Sequence, residues 1–115
     1  MHDHTRRAVA FVVGLAFGND ASSVYDYKAG RHFSFTGTVS NDSVSAYDYS
    51  ESCHISGTLS SIFHYGDNHH IQLTINGHNF NGFDYGTSTH FSGTCNGNSI
   101  SIYDHGESEH FNYSV

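Results

Sequence analysis

The sequence predicts an all-β domain, an antiparallel up-and-down meander of about ten strands made from five hairpin repeats of about 20 residues each. The first observation behind this prediction is a pair of anchors that recur together. Each unit begins with an aromatic residue followed by Asp or His and then Tyr or His, and a further His follows seven residues after the first anchor. The first anchors are Tyr25, Tyr47, Phe63, Phe83 and Tyr103, and the second anchors are His32, His54, His70, His90 and His110.

The second observation is the turn chemistry between alternating segments. Asn-Gly is the strongest short hairpin signal, because a type I′ turn needs φ > 0 at both central residues. We therefore expect Asn96-Gly97 to be a two-residue turn that places Phe91 opposite Ile102, and the pair at 76–77 to act in the same way. Apolar and polar residues then segregate onto opposite faces, which indicates one buried face and one solvated face.

Such a meander closes into a barrel or flattens into a sandwich. The alternative is a β-solenoid in which each repeat forms one coil, so that Ile71 stacks on Phe91 and Phe91 on Phe111.

The alignment of the repeats also predicts the state of the two cysteines. Cys53 and Cys95 lie at different ends of equivalent strands, roughly 20 Å apart, which is too far for a disulfide. We expect both thiols to be free and on the core face.

The first 23 residues differ from the rest of the chain. A polar, basic stretch (His2–Arg7) precedes an apolar run (Ala8–Phe17) and a small polar stretch (Gly18–Ser23), in the order typical of a secretory signal peptide. The apolar run is too short to span a bilayer. The predicted organisation is a leader over 1–23 and one β-repeat domain over 24–115, secreted or periplasmic. The alternative is that the segment forms a first strand or short helix of the domain.

Charge limits the classes of partner. From His32 to Val115 the chain has no Lys or Arg and eight carboxylates, a formal charge of −8 with His neutral. Such a surface repels phosphate backbones and anionic lipid headgroups. We therefore expect no nucleic-acid partner and no membrane insertion of the domain. Protons, divalent cations and neutral polar ligands remain as candidates.

The repeated histidines are candidate metal ligands. His70, His90 and His110 fall at one repeat position, and a ladder of imidazoles would suit a divalent metal such as zinc. The alternative is structural, with each His stacked on an aromatic ring across its hairpin, as His90 would be opposite Tyr103. No other cofactor is predicted.

The tyrosines are candidate carbohydrate ligands. Tyr49, Tyr65, Tyr85 and Tyr103 accompany Asn, Asp and His, a combination of aromatic faces for stacking and polar groups for sugar hydroxyls. The alternative is an aromatic ladder that only stabilises the sheet, at roughly 0.2–1 kcal/mol per cross-strand pair.

Catalysis has no sequence support. No nucleophile elbow, phosphate loop or HExxH motif is present. The repeated Asp indicates a structural role, and we expect Asp84 and Asp104 to accept hydrogen bonds from the loop amides that follow them. The predicted function is a non-enzymatic exported module of the cell envelope, either binding metal or carbohydrate on its Tyr/His face or self-associating through sheet edges.

Overall fold

Ten antiparallel strands form a closed barrel in the computed structural model, which describes residues 1–115. Each strand pairs with its neighbours along the chain, and the first pairs with the last through Tyr25 and Ser114. The predicted meander is confirmed in its barrel form, and the solenoid alternative is wrong. The strands are β1 (Ser23–Asp26), β2 (Arg31–Ser40), β3 (Ser43–Asp48), β4 (Cys53–Thr58), β5 (Ser61–His64), β6 (His69–Asn76), β7 (Asn79–Asp84), β8 (Thr89–Asn96), β9 (Ser99–Asp104) and β10 (Glu109–Ser114).

A single helix, α1 (Asp3–Ala16), fills the barrel. Its residues Thr5–Gly14 are buried on every side, whereas a helix packed on the outside of a sheet buries only one stripe. Phe11 stacks on the lumen-facing Phe35 with 4.8 Å between ring centroids. The helix of the predicted leader segment therefore lies at the centre of the core in this fold. Removal of the segment on export stays a prediction. With 14 residues, α1 is shorter than a helix that spans a bilayer.

The strands alternate between lumen and solvent as the period-2 pattern predicts. Side chains that point into the lumen are almost fully buried and pack around α1. They include Phe33, Phe35, Val44, Ile55, Ile62, Ile71, Leu73, Phe80, Phe91, Ile100, Ile102 and Phe111. Cys53 and Cys95 are free and buried, as expected from the alignment.

The predicted register of the Asn-Gly hairpins is wrong by two residues. Phe91 pairs with Asp104 rather than Ile102, and the turn residues are Gly97 and Asn98. Gly97, with φ 60°, occupies the first position of this turn, a position that the type I′ prediction gave to Asn96. A shift of two residues keeps every side chain on its predicted face.

Two glycines, Gly82 and Gly93, allow close approach of neighbouring strands. A Cβ on Gly93 would lie 2.0 Å from the carbonyl oxygen of Ser101 and 2.5 Å from the ring of Phe80. We expect Gly93→Ala to lower the free energy of unfolding by about 1–3 kcal/mol through overpacking. Urea denaturation measures this, with Asn81→Ala on the outer face as a control expected to change it by less than about 0.5 kcal/mol. Equal effects of the two substitutions would contradict the close packing.

Candidate functional site

Five aromatic triads lie on the outer wall near one end of the barrel. In each triad the first aromatic ring of the repeat makes edge-on contact with the ring two residues later and with a His on the adjacent strand. The centroid separations are 4.7–5.1 Å. The triads are Tyr25/Tyr27/His32, Tyr47/Tyr49/His54, Phe63/Tyr65/His70, Phe83/Tyr85/His90 and Tyr103/His105/His110.

Strand register produces these triads. The first aromatic and the His are direct cross-strand partners, as Phe83 and His90 are between β7 and β8. Each of these His residues therefore packs on an aromatic ring of a neighbouring strand, as the structural alternative predicts. The partner of His90, however, is Phe83 and not Tyr103. His70, His90 and His110 lie in separate triads, and none of them belongs to a cluster of metal-ligating atoms within 4.8 Å of one another. Metal binding by these three residues stays a prediction.

The outer ring of each triad is open to solvent. Tyr49, Tyr65 and Tyr85 are 53–59% exposed, and Tyr27, which the sequence reasoning did not single out, is 61% exposed. Tyr103 instead occupies the inner position of its triad. The repeat alignment alone would have identified Tyr27, since it follows its first anchor by two residues as the other three do.

Three shallow grooves lie beside these rings. One of about 400 Å³ contains Tyr27, and its other lining residues are Thr94, Asn96, Ser99, Ile100, Ser101, Asn112 and Tyr113. A second of about 380 Å³ contains Tyr103 and His110 and shares Thr94 and Ser101 with the first. A third of about 390 Å³ contains Tyr85, His70 and Asn68. Tyr49 and Tyr65 line none of the grooves.

The inner face of the same barrel end carries a polar ring, called here the mouth ring, of four aspartates and one histidine. The aspartates hold the connections that follow them: Asp84 Oδ1 accepts a hydrogen bond from the Gly86 amide at 2.9 Å, and Asp104 Oδ1 from the Gly106 amide at 2.9 Å. This confirms the predicted Asx-type role. The members are Asp26, Asp48, His64, Asp84 and Asp104.

Two arginines of α1 pair with this ring. Arg6 donates to Asp104 at 2.8 Å and Arg7 to Asp26 at 3.2 Å, and all four side chains are buried. Burial opposes ionisation of Asp104, but hydrogen bonds from the Met1 amino group and Arg6 hold the pKa of Asp104 below its ordinary value of 3.8. The helix therefore matches the charge of the ring at these two positions.

Asp48 lacks such a partner. Its Oδ1 accepts from the Ser50 and Glu51 amides, while its buried Oδ2 has no hydrogen-bond partner. Burial raises the pKa of Asp48 above its ordinary 3.8. The folded protein therefore binds this proton more tightly than the unfolded chain, so the contribution of Asp48 to stability is complete below pH 3.8 and is lost as the pH rises through its folded pKa.

We expect Asp48→Asn to raise the free energy of unfolding at pH 7 by about 1 kcal/mol, because the neutral amide keeps the acceptor for the loop and removes an unpaired buried charge. Urea denaturation at several pH values between about 3.5 and 7 measures this change in the free energy of unfolding. The lower limit lies near the ordinary pKa values of carboxyl groups. Asp104→Asn, at a paired position, should instead destabilise at pH 7. Destabilisation by Asp48→Asn at pH 7 would contradict this account.

His64, the one histidine of the ring, faces His4 and Asp67. His4 Nε2 lies 2.8 Å from Asp67 Oδ1, and His64 Nδ1 lies 3.8 Å from Asp67 Oδ2. Burial lowers the pKa of His64 below its ordinary 6.5. The sequence reasoning missed this cluster, because His4 and Asp67 are 63 residues apart.

The fold and its surface define a small, helix-filled β-barrel with aromatic grooves on its outer wall. No protein-family model, curated protein or solved structure matches the chain.

Proposed function

We propose that the protein is a non-enzymatic module that binds carbohydrate in its outer grooves. The observation that carries the proposal is the combination, in the Tyr27 groove, of an exposed aromatic ring with Asn, Ser and Thr side chains. A flat ring packs against the apolar face of a sugar, and short amide and hydroxyl side chains can bond its hydroxyl groups. Binding sites of this composition fix a neutral polar ligand through few polar contacts.

Three further features support a carbohydrate. The lumen is filled by α1, so a ligand has to bind on the outside. The groove that contains Tyr27 and the groove that contains Tyr103 share Thr94 and Ser101. Together they form one continuous surface, which suits an oligosaccharide better than a single sugar. Repetition of weak sites around one barrel also raises the affinity for a polymer through multivalency.

Self-association through sheet edges is the weaker candidate. Pairing of β1 with β10 closes the barrel, and a closed barrel has no edge strand to recruit another chain. The closed form therefore favours binding of a ligand over assembly through edges.

The proposed location is the cell envelope, secreted or periplasmic, where glycan polymers are found. Export and the helix-filled barrel are compatible only if residues 1–23 stay attached after export, because α1 lies within this segment. The intact mass of the protein recovered from each cell fraction distinguishes a retained segment from a removed one.

The test is binding to a panel of immobilised glycans. We expect Tyr27→Ala and Tyr85→Ala each to weaken binding about tenfold, as loss of an aromatic anchor does. Tyr49→Ala is the matched control, since Tyr49 is equally exposed but lines no groove. Failure to bind any glycan, or an equal loss with Tyr49→Ala, would refute the proposal.

A further inference from the structure

We propose that His4, His64 and Asp67 form a binding site for a divalent transition-metal ion such as Zn²⁺, held between α1 and the mouth ring. One ligand atom from each residue lies within 4.8 Å of the other two. The helix contributes His4, β5 ends in His64, and the following connection contributes Asp67. This site is independent of the outer grooves and of the histidines in the triads.

The repeat itself singles out this position. Four units have Asp in the mouth ring, and only the third has His, at position 64. Where the ring carries Asp104 and Asp26, α1 presents arginines to them. Where the ring carries His64, α1 instead presents His4, with the two ring centroids 5.4 Å apart. His4 also lies against Asp67, with 2.8 Å between Nε2 and Oδ1, so this part of the mouth ring brings together two imidazoles and a carboxylate, a donor set that suits a divalent cation.

The ligand chemistry fits zinc. Two His and one carboxylate are a common zinc set, and they leave a fourth position for water or a ligand. Two imidazoles and one carboxylate also suit other first-row divalent ions, with affinities that follow their usual order.

Neighbouring groups already orient the ligands. Thr5 Oγ1 donates to Asp67 Oδ2 at 3.0 Å, and Glu51 Oε1 lies 3.5 Å from His4 Nδ1. Such outer contacts fix the ring and carboxylate orientations of metal sites. The Asp67 amide donates to His64 Nδ1 at 3.2 Å, so a metal that binds through this nitrogen replaces one hydrogen bond. His64 is 1% exposed, which limits access of competing water.

An ion at this site would join the helix to the barrel wall. The ligands come from both sides of the contact, so metal binding adds a link that the unfolded chain cannot make. At a free metal concentration of 100 times the Kd, we expect the Tm to rise by about 10 °C.

The experiment is titration of the full, metal-free chain with ZnCl₂ by calorimetry, with CoCl₂ as a spectroscopic probe. We expect one tight ion per chain in a native mass spectrum and a visible absorption band for Co²⁺. His64→Asn should weaken binding at least about 100-fold. Its amide oxygen can still accept the Asp67 amide hydrogen, as Asp does in the other units, so the variant should fold. His4→Ala and Asp67→Asn should each weaken binding to a similar degree.

The matched control is the triple variant His70→Ala/His90→Ala/His110→Ala, which removes outer histidines. It should keep the tight ion and the Co²⁺ spectrum. The proposal is overturned if the chain binds no ion, if binding is weak and involves several ions, or if the triple variant loses the ion while His64→Asn keeps it.

Discussion

Deletion of residues 1–22 should leave a chain that does not fold. The deletion removes α1 while leaving all ten strands, which begin at Ser23. Val9, Phe11, Val12 and Val13 are each at most 2% exposed, and burial of four such side chains contributes about 6–12 kcal/mol. The whole stability of a domain is about 5–15 kcal/mol. Circular dichroism and urea denaturation of fragment 23–115 measure the effect.

A peptide of residues 1–22 added in trans is the control for this deletion. It should restore cooperative unfolding to fragment 23–115, and a peptide with Phe11→Ser and Val12→Ser should not, since Phe11 packs on the lumen-facing Phe35. If fragment 23–115 alone unfolds cooperatively at the urea concentration of the full chain, α1 is not part of the core.

Arg6→Met should lower the free energy of unfolding at pH 7 by about 3 kcal/mol, because removal of one partner leaves a buried carboxylate undercompensated. Arg6 bonds Asp104 at 2.8 Å and its guanidinium lies 3.7 Å from the centroid of the Phe111 ring. Lys28→Met is the matched control. Lys28 pairs with Asp3 at the surface, and loss of such a pair costs less than about 1 kcal/mol.

The pH dependence separates lost charge pairing from lost packing. The pKa of Asp104 is below its ordinary 3.8 in the folded protein. Its contribution to stability is therefore present above pH 3.8 and is lost as the pH falls through the folded pKa. The difference between wild type and Arg6→Met should shrink as the pH falls over this range. A difference that stays constant with pH would show that Arg6 acts through packing alone.

The repeat made most of the barrel predictable. Two anchors at a fixed spacing define the strand pairs and faces, so the exposed positions of Tyr49, Tyr65 and Tyr85 follow from period-2 alternation. The register was predicted wrongly because the prediction placed Asn96 at the first turn position. In the structure this position, with its positive φ, belongs to Gly97. A two-residue error of this kind changes partners without changing faces.

The role of α1 could not be predicted from local pattern. A short apolar run after two arginines has the same composition whether it is an export leader or a core helix. What distinguishes the two is pairing of Arg6 with Asp104, a contact across 98 residues of sequence. The grooves and the His4–His64–Asp67 cluster also depend on distant neighbours, so the sequence offered the residue types but not their grouping.

Hydrogen–deuterium exchange of the full chain tests the helix-filled barrel most directly. In this fold the amides of Ala8–Val13 are buried among the lumen side chains, so they should exchange only through global unfolding, with the same opening free energy as β8 and β9. Exchange of Ala8–Val13 within seconds while β8 and β9 stay protected would show that the helix lies outside the core, and would contradict the account.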